Sequence, residues 1–157
     1  MAQIGFTGLG IMGTPMAGHI LAAGHSLHTF TIGETPASLV EAGAHVCESA
    51  KDVAWRSDII FVMVPDTPHV EDVLFSANGV AAGLTKGKTV VDMSSISPVA
   101  TKGFAKRING LGCEYLDAPV SGGEVGAKAA SLTIMVGGSN EAFMRVKPLF
   151  ELMGKGL

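Results

Sequence analysis

The segment Gly8-Leu9-Gly10-Ile11-Met12-Gly13 constrains this chain more than any other. It follows a short strand-like run, Gln3 to Thr7, and leads into a stretch of helical composition, Ile11 to Ala23, closed by Gly24. A GxGxxG motif in that setting is a tight strand-to-helix turn that can cradle a pyrophosphate. Gly8 allows the turn, Gly10 lets backbone approach the phosphates, and Gly13 lets helix and strand pack closely. The helix start adds unpaired N–H groups and positive partial charge. A bare turn with no ligand is the alternative, and the flanking strand and helix argue against it.

The rest of the chain alternates in the same way. Strands are expected at Leu27 to Thr31, His45 to Cys47, Asp58 to Val64, Thr89 to Asp92, Glu114 to Leu116 and Leu132 to Val136. Helices are expected at Ala37 to Glu41, Lys51 to Trp55, His69 to Leu74, Pro98 to Ile108 and Glu141 to Met153. The run DIIFVMV at 58–64 is continuously apolar, as a strand covered on both faces must be. Pro65 stops it, because proline cannot donate to a ladder. Strand and helix in alternation predict an α/β fold: Rossmann-type, doubly wound, a mainly parallel sheet with helices on both faces. The 157 residues suit one NAD(P)-binding domain spanning 1–157.

Composition removes several function classes. A net charge of −3 without a Lys/Arg cluster argues against a nucleic-acid partner. No apolar run reaches the roughly 18 residues of a membrane span, so no membrane partner is expected. Cys47 and Cys113 form no CxxC pair, which favours a reduced, cytoplasmic setting. No export signal is expected from the N-terminal residues, whose apolar run is interrupted by glycine at once. His25, His28 and His45 lack metal-ligand spacing, so no metal site is expected, and they read as surface or loop residues. Trp55 and the eight methionines read as core and gap filler. Asp117 reads as fixing the loop before Ser121 rather than acting as a base.

An NAD site usually carries an acid at the end of the second strand, about 20 residues beyond the glycines, for the ribose 2′-hydroxyl. Here that strand ends Thr31-Ile32-Gly33, with Glu34 just beyond and no arginine for a 2′-phosphate. NAD and NADP both stay open.

Four blocks resemble the β-hydroxyacid dehydrogenases over nearly the whole chain. They are Ile4 to Met16, Val64-Pro65, Asp92-Met93-Ser94-Ser95-Ile96-Ser97-Pro98, and Asp117-Ala118-Pro119-Val120-Ser121-Gly122-Gly123. The resemblance implies hydride transfer between a nicotinamide cofactor, NAD or NADP, and a small carboxylate substrate. It implies cofactor contacts at Gly8, Leu9, Gly10, Ile11, Met12, Gly13, Thr31, Val64, Pro65, His69 and Ser95. Ser95 is expected near both nicotinamide and substrate. Ser121, Gly122 and Gly123 are expected to bind the substrate carboxylate, which suits two glycines that free the backbone to form an anion-binding concavity. The family's catalytic lysine is expected beyond Leu157, in a helical domain, with no catalytic residue inside 1–157 and a homo-oligomer as the intact protein. His19 stands where relatives commonly carry Asn, and Ile32-Gly33 where some carry a basic residue. A non-catalytic dinucleotide-binding module is the competing reading. A sugar-phosphate substrate would need clustered basic residues near Ser121, which the sequence lacks.

Overall fold

The computed structural model describes residues 2–156. The elements run β1 (Gln3–Thr7), α1 (Gly13–Ala22), β2 (Ser26–Phe30), α2 (Ala37–Glu41), β3 (His45–Val46), α3 (Ala50–Arg56), β4 (Ile59–Val62) and α4 (Thr67–Phe75). They continue with α5 (Val80–Gly83), β5 (Thr89–Asp92), α6 (Pro98–Gly110), β6 (Glu114–Asp117), β7 (Val120–Ser121), α7 (Gly123–Ala129), β8 (Leu132–Ile134), α8 (Asn140–Met153) and β9 (Gly154–Gly156). Six strands form one parallel sheet in the order β3-β2-β1-β4-β5-β6. The chain reverses direction across the sheet between β1 and β4. In a doubly wound sheet a ligand crevice opens at the strand ends beside such a switch point. The fold is the expected Rossmann-type α/β architecture.

Two hydrophobic cores lie on opposite faces of this sheet, and the strands feed both. In β4, Ile59 and Phe61 join one core while Ile60 and Val62 join the other. That is the period of two applied to a strand buried on both sides. Phe61 stacks on Phe6 with centroids 5.8 Å apart and meets Phe150 of α8 edge-on at 6.4 Å. On the other face α3 comes so close to β1 that a Cβ at Gly5 would stand 2.6 Å from Val53 Cγ1.

Beyond β6 the chain leaves the main sheet. β7 pairs antiparallel with β8, and β8 pairs parallel with β9. This three-stranded sheet, α5, α7 and β9 were not expected from the sequence, which led only to a strand from Leu132 onward. Other side-chain expectations also need correction. Trp55 is 65% exposed rather than core. Its ring centroid lies 5.7 Å from the Lys88 ammonium, which donates to the Ala54 and Trp55 carbonyls at 2.6 and 2.9 Å, at the end of α3. His28 is buried in β2 rather than on the surface, and stacks on His45 at 5.1 Å. Met135 and Met144 are exposed, so not every methionine fills a gap. Among the described residues no helix is long and apolar enough to cross a membrane.

Phe61 joins β4 to both Phe6 and α8, so its removal tests the core on that face. Phe61→Ala is expected to cost about 3–5 kcal/mol, the range for deleting a buried aromatic. Urea unfolding of both proteins measures it, and a loss below about 1 kcal/mol would show that the site collapses without a cavity.

Candidate functional site

The three glycines of the turn differ in what surrounds them. Gly8 has φ +90°, and a Cβ there would run into the Met63 carbonyl and Val64. A Cβ at Gly13 would run into the carbonyl of Gly8, so α1 sits directly on the turn. A Cβ at Gly10 would meet no atom within 4 Å. Gly8 and Gly13 are therefore dictated by the protein's own packing, whereas at Gly10 the space is left open. No side chain caps α1. Thr14 N–H donates to the Gly10 carbonyl at 3.0 Å and Pro15 has no N–H, so the groups that can meet an outside acceptor are those of the turn itself, Gly10 to Gly13.

Two hydrogen bonds tie this turn to the end of β2. Gly8 N–H donates to the Phe30 carbonyl at 3.1 Å, and Leu9 N–H donates to Thr31 Oγ1 at 3.1 Å. Gly8, Leu9, Gly10, Ile11, Met12, Gly13, Thr31, Val64, Pro65, His69 and Ser95 all line one cleft of about 850 Å³. The sequence alone brought these residues together only as separate motifs. The cleft also holds Ile32, Glu48, Asp72, Ser76 and Asn78, which sequence reasoning missed. Ile32 and Glu48 follow strand ends and were findable from that rule. Ser76 and Asn78 follow α4 and carry no sequence signal. Glu34 is exposed and is not among the cleft residues.

The far wall of the cleft depends on Asp92, which is wholly buried at the end of β5. Its carboxylate accepts from Ser94 N–H at 3.0 Å and from the Tyr115 hydroxyl at 2.9 Å. Ser94 Oγ in turn accepts from Val64 N–H at 2.9 Å. Asp92 thus fixes the turn after β5 and, through Ser94, the chain after β4. Met93 and Ser94 are buried by this arrangement and Ser95 is left exposed at the cleft. Burial pushes the Asp92 carboxyl up to about 6, despite the opposing hydrogen bonds from Ser94 and Tyr115. At the mouth, Asp66 caps α4 by accepting from His69 N–H, and it also bonds His69 Nδ1. Those His69 contacts hold the exposed Asp66 carboxyl below its usual range.

Ser121, Gly122 and Gly123 are not among the residues that line this cleft. They join β7 to the start of α7, with φ +133° at Gly122 and +60° at Gly123. Both values lie in the region that favours glycine. Ala118 N–H donates to the Asp92 carbonyl at 2.8 Å, so the segment leading to Ser121 departs from beside the Ser94–Ser95 turn. Asp117 is half-buried at the end of β6, and its main chain pairs with Gly137. Burial raises its carboxyl. His19 spans from α1 to α7, its Nε2 2.8 Å from the Ala127 carbonyl. Lys128, on α7, is paired with Glu124 at 3.1 Å. Among the described residues no three His, Cys, Asp or Glu side chains gather as a metal site.

A family model described as the NAD binding domain of 6-phosphogluconate dehydrogenase matches residues 3–157. The chain is 59% identical over 155 residues to the 2-hydroxy-3-oxopropionate reductase of Escherichia coli strain K12, covering 99% of this chain and 53% of that protein. The solved structure of the Mycobacterium tuberculosis 3-hydroxyisobutyrate dehydrogenase with L-serine superposes with a TM-score of 0.91 at 34% identity, over 99% of this chain and 53% of that one. The structure of Psf3 in complex with NADP+ and 2-OPP gives 0.92 at 30% identity, over 98% and 55%. The chain spans about half the length of these relatives.

Asp92 yields a pH-dependent test. Its folded-state pKa of about 6 lies above the ordinary 3.8, so the folded protein binds a proton more readily than the unfolded chain between those values. Stability from this group is therefore present at low pH and lost as pH rises through about 6, by an amount on the order of 3 kcal/mol. Asp92→Asn removes that titration. The stability of the variant relative to the parent is expected to rise by about 2–3 kcal/mol between pH 4 and 7 and then level off. Urea unfolding across that range measures it, and a pH-independent difference would contradict the account.

Proposed function

The chain belongs to the β-hydroxyacid dehydrogenase family, through the NAD binding domain it shares with 6-phosphogluconate dehydrogenase, and from that premise we propose how it is used. It holds NAD or NADP for hydride transfer between nicotinamide and a small oxo or hydroxy acid. The substrate we favour is tartronate semialdehyde, reduced to glycerate, because Asp92-Met93-Ser94-Ser95 and Val64-Pro65-Asp66-Thr67-Pro68 look most like the tartronate semialdehyde reductases. The observation that carries the reading is the open space at Gly10 beside an uncapped helix start. A pyrophosphate fits there for reasons of shape and charge together.

The bound cofactor supplies the hydride chemistry, and the protein supplies position and electrostatics. Gly10 to Gly13 offer backbone N–H groups to the pyrophosphate. Val64 and Pro65 form an apolar support for the nicotinamide half, at the end of β4. Ser95 presents a hydroxyl to the same half. Ser121, Gly122 and Gly123 receive the substrate carboxylate, and the two glycines in unusual backbone conformations let the N–H groups converge. His19 holds the α7 end of that loop to α1, the helix that meets the phosphates. The hydroxyl proton is assigned in this reading to a lysine outside residues 1–157, and the intact protein to a homo-oligomer.

Two outcomes test this. Gly10→Val is expected to abolish binding of NADH and NADPH in a calorimetric titration while leaving the thermal unfolding of the protein nearly unchanged. Equal affinity in parent and variant would remove the turn from the site. The 157-residue chain with NADH and tartronate semialdehyde is expected to show no turnover by nicotinamide absorbance, since loss of general acid help alone costs about 10²–10⁴-fold. Rapid turnover would place the proton donor inside this chain, with Lys128 the first residue to substitute.

A further inference from the structure

NAD and NADP differ by one phosphate on the adenosine ribose, a group that carries nearly two negative charges at neutral pH. Discrimination therefore rests on what faces the 2′ position. The hydrogen bonds from Gly8 to Phe30 and from Leu9 to Thr31 place the end of β2 against the glycine turn. That is where the acid of an NAD site stands, and here the position holds Thr31, whose hydroxyl is taken up by Leu9, followed by Ile32, 81% exposed and lining the cleft. A carboxylate is nevertheless supplied from the neighbouring strand. Cys47 N–H donates to the Thr29 carbonyl at 2.8 Å, which sets the chain after β3 beside the end of β2. The next residue is Glu48, exposed and also lining the cleft. Asp72 adds a second carboxylate, and among the described residues no Lys or Arg lines the cleft. Lys51 and Arg56 face an adjoining groove that Glu48 also borders, and Arg56 is engaged there by Asp52 at 2.9 Å.

Resting on the reading of this cleft as a dinucleotide site, we propose that it selects NAD(H) over NADP(H), with Glu48 accepting the ribose 2′-hydroxyl. Glu48 then does from β3 what an acid at the end of β2 does in other NAD sites. A hydroxyl donating to a carboxylate makes a charge-assisted bond. A 2′-phosphate in the same place meets a like charge and, at Ile32, a side chain with no donor.

The test is calorimetric titration of the 157-residue chain with NADH, NADPH, ADP-ribose and 2′-phospho-ADP-ribose. NADH is expected to bind at least about tenfold more tightly than NADPH, with the same order for the two ribose fragments, because the fragments retain the 2′ group and omit nicotinamide. Glu48→Gln is expected to weaken NADH about three- to tenfold and to leave NADPH unchanged or tighter. Ile32→Arg, at an exposed position, is expected to tighten NADPH about tenfold through a new ion pair. Equal or tighter binding of NADPH by the unsubstituted chain overturns the preference while leaving the cleft's assignment intact. Equal weakening of both nucleotides by Glu48→Gln overturns the role of Glu48. Failure of every nucleotide and fragment to bind overturns the reading of the cleft and the preference with it.

Discussion

The contact on which the rest of the structure depends is the one between the start of α1 and the end of β1, where Gly13 lies against the carbonyl of Gly8. No side chain separates helix from strand there. Three consequences follow from that closeness. The turn is narrow enough for Gly8 to bond the end of β2, and its outer side passes under Met63 and Val64 after β4. Gly10 and Ile11 are left exposed at the rim of the turn, with no atom within 4 Å of where a Gly10 Cβ would stand, while Gly13 is buried at its base. The two halves of the sheet, β1-β2-β3 and β4-β5-β6, meet at this turn, so whatever occupies the cleft touches both.

A second set of contacts carries that arrangement across the molecule. Asp92 does not line the cleft, yet it holds Ser94, and Ser94 holds Val64. One buried carboxylate thereby sets the spacing between the strand ends of β4 and β5. Retaining a charge in so enclosed a place is costly unless its oxygens are satisfied. Here both oxygens are satisfied, one by a backbone donor and one by Tyr115. His19 makes the complementary link on the other side, between α1 and α7.

The parts of the fold that were legible in the sequence are those in which local pattern and tertiary role coincide. Ile59 to Val62 is apolar on both faces because both faces are covered, and the strands of the parallel sheet were legible from their alternation with helical segments. The glycine turn was legible because its spacing reflects packing. The small sheet was not. β9 is Gly154-Lys155-Gly156, a sequence with no strand propensity, and it lies so close to β8 that a Cβ at Gly154 would strike the Leu132 carbonyl. α7 was hidden by glycines on both sides of its start, which suggested only a loop. Trp55 and His28 were misplaced because composition says that a large or polar side chain has a usual location, while the neighbours that decide it, Lys88 and His45, are distant in sequence. The cleft residues after α4 were hidden for the same reason.

The uncapped first turn of α1 has a consequence for how the domain behaves in solution. In most helices a serine, threonine or aspartate side chain closes that end, as Ser49, Asp66, Ser97 and Ser139 do for α3, α4, α6 and α8. In the proposed function the phosphates complete α1, so part of the helix is finished by a molecule that diffuses away. Folding and nucleotide concentration are then thermodynamically linked: free nucleotide at a hundred times its Kd adds about 2.7 kcal/mol to stability. A protein built this way reports the abundance of its cofactor through its own lifetime, being most resistant to unfolding and proteolysis when the nucleotide pool is full.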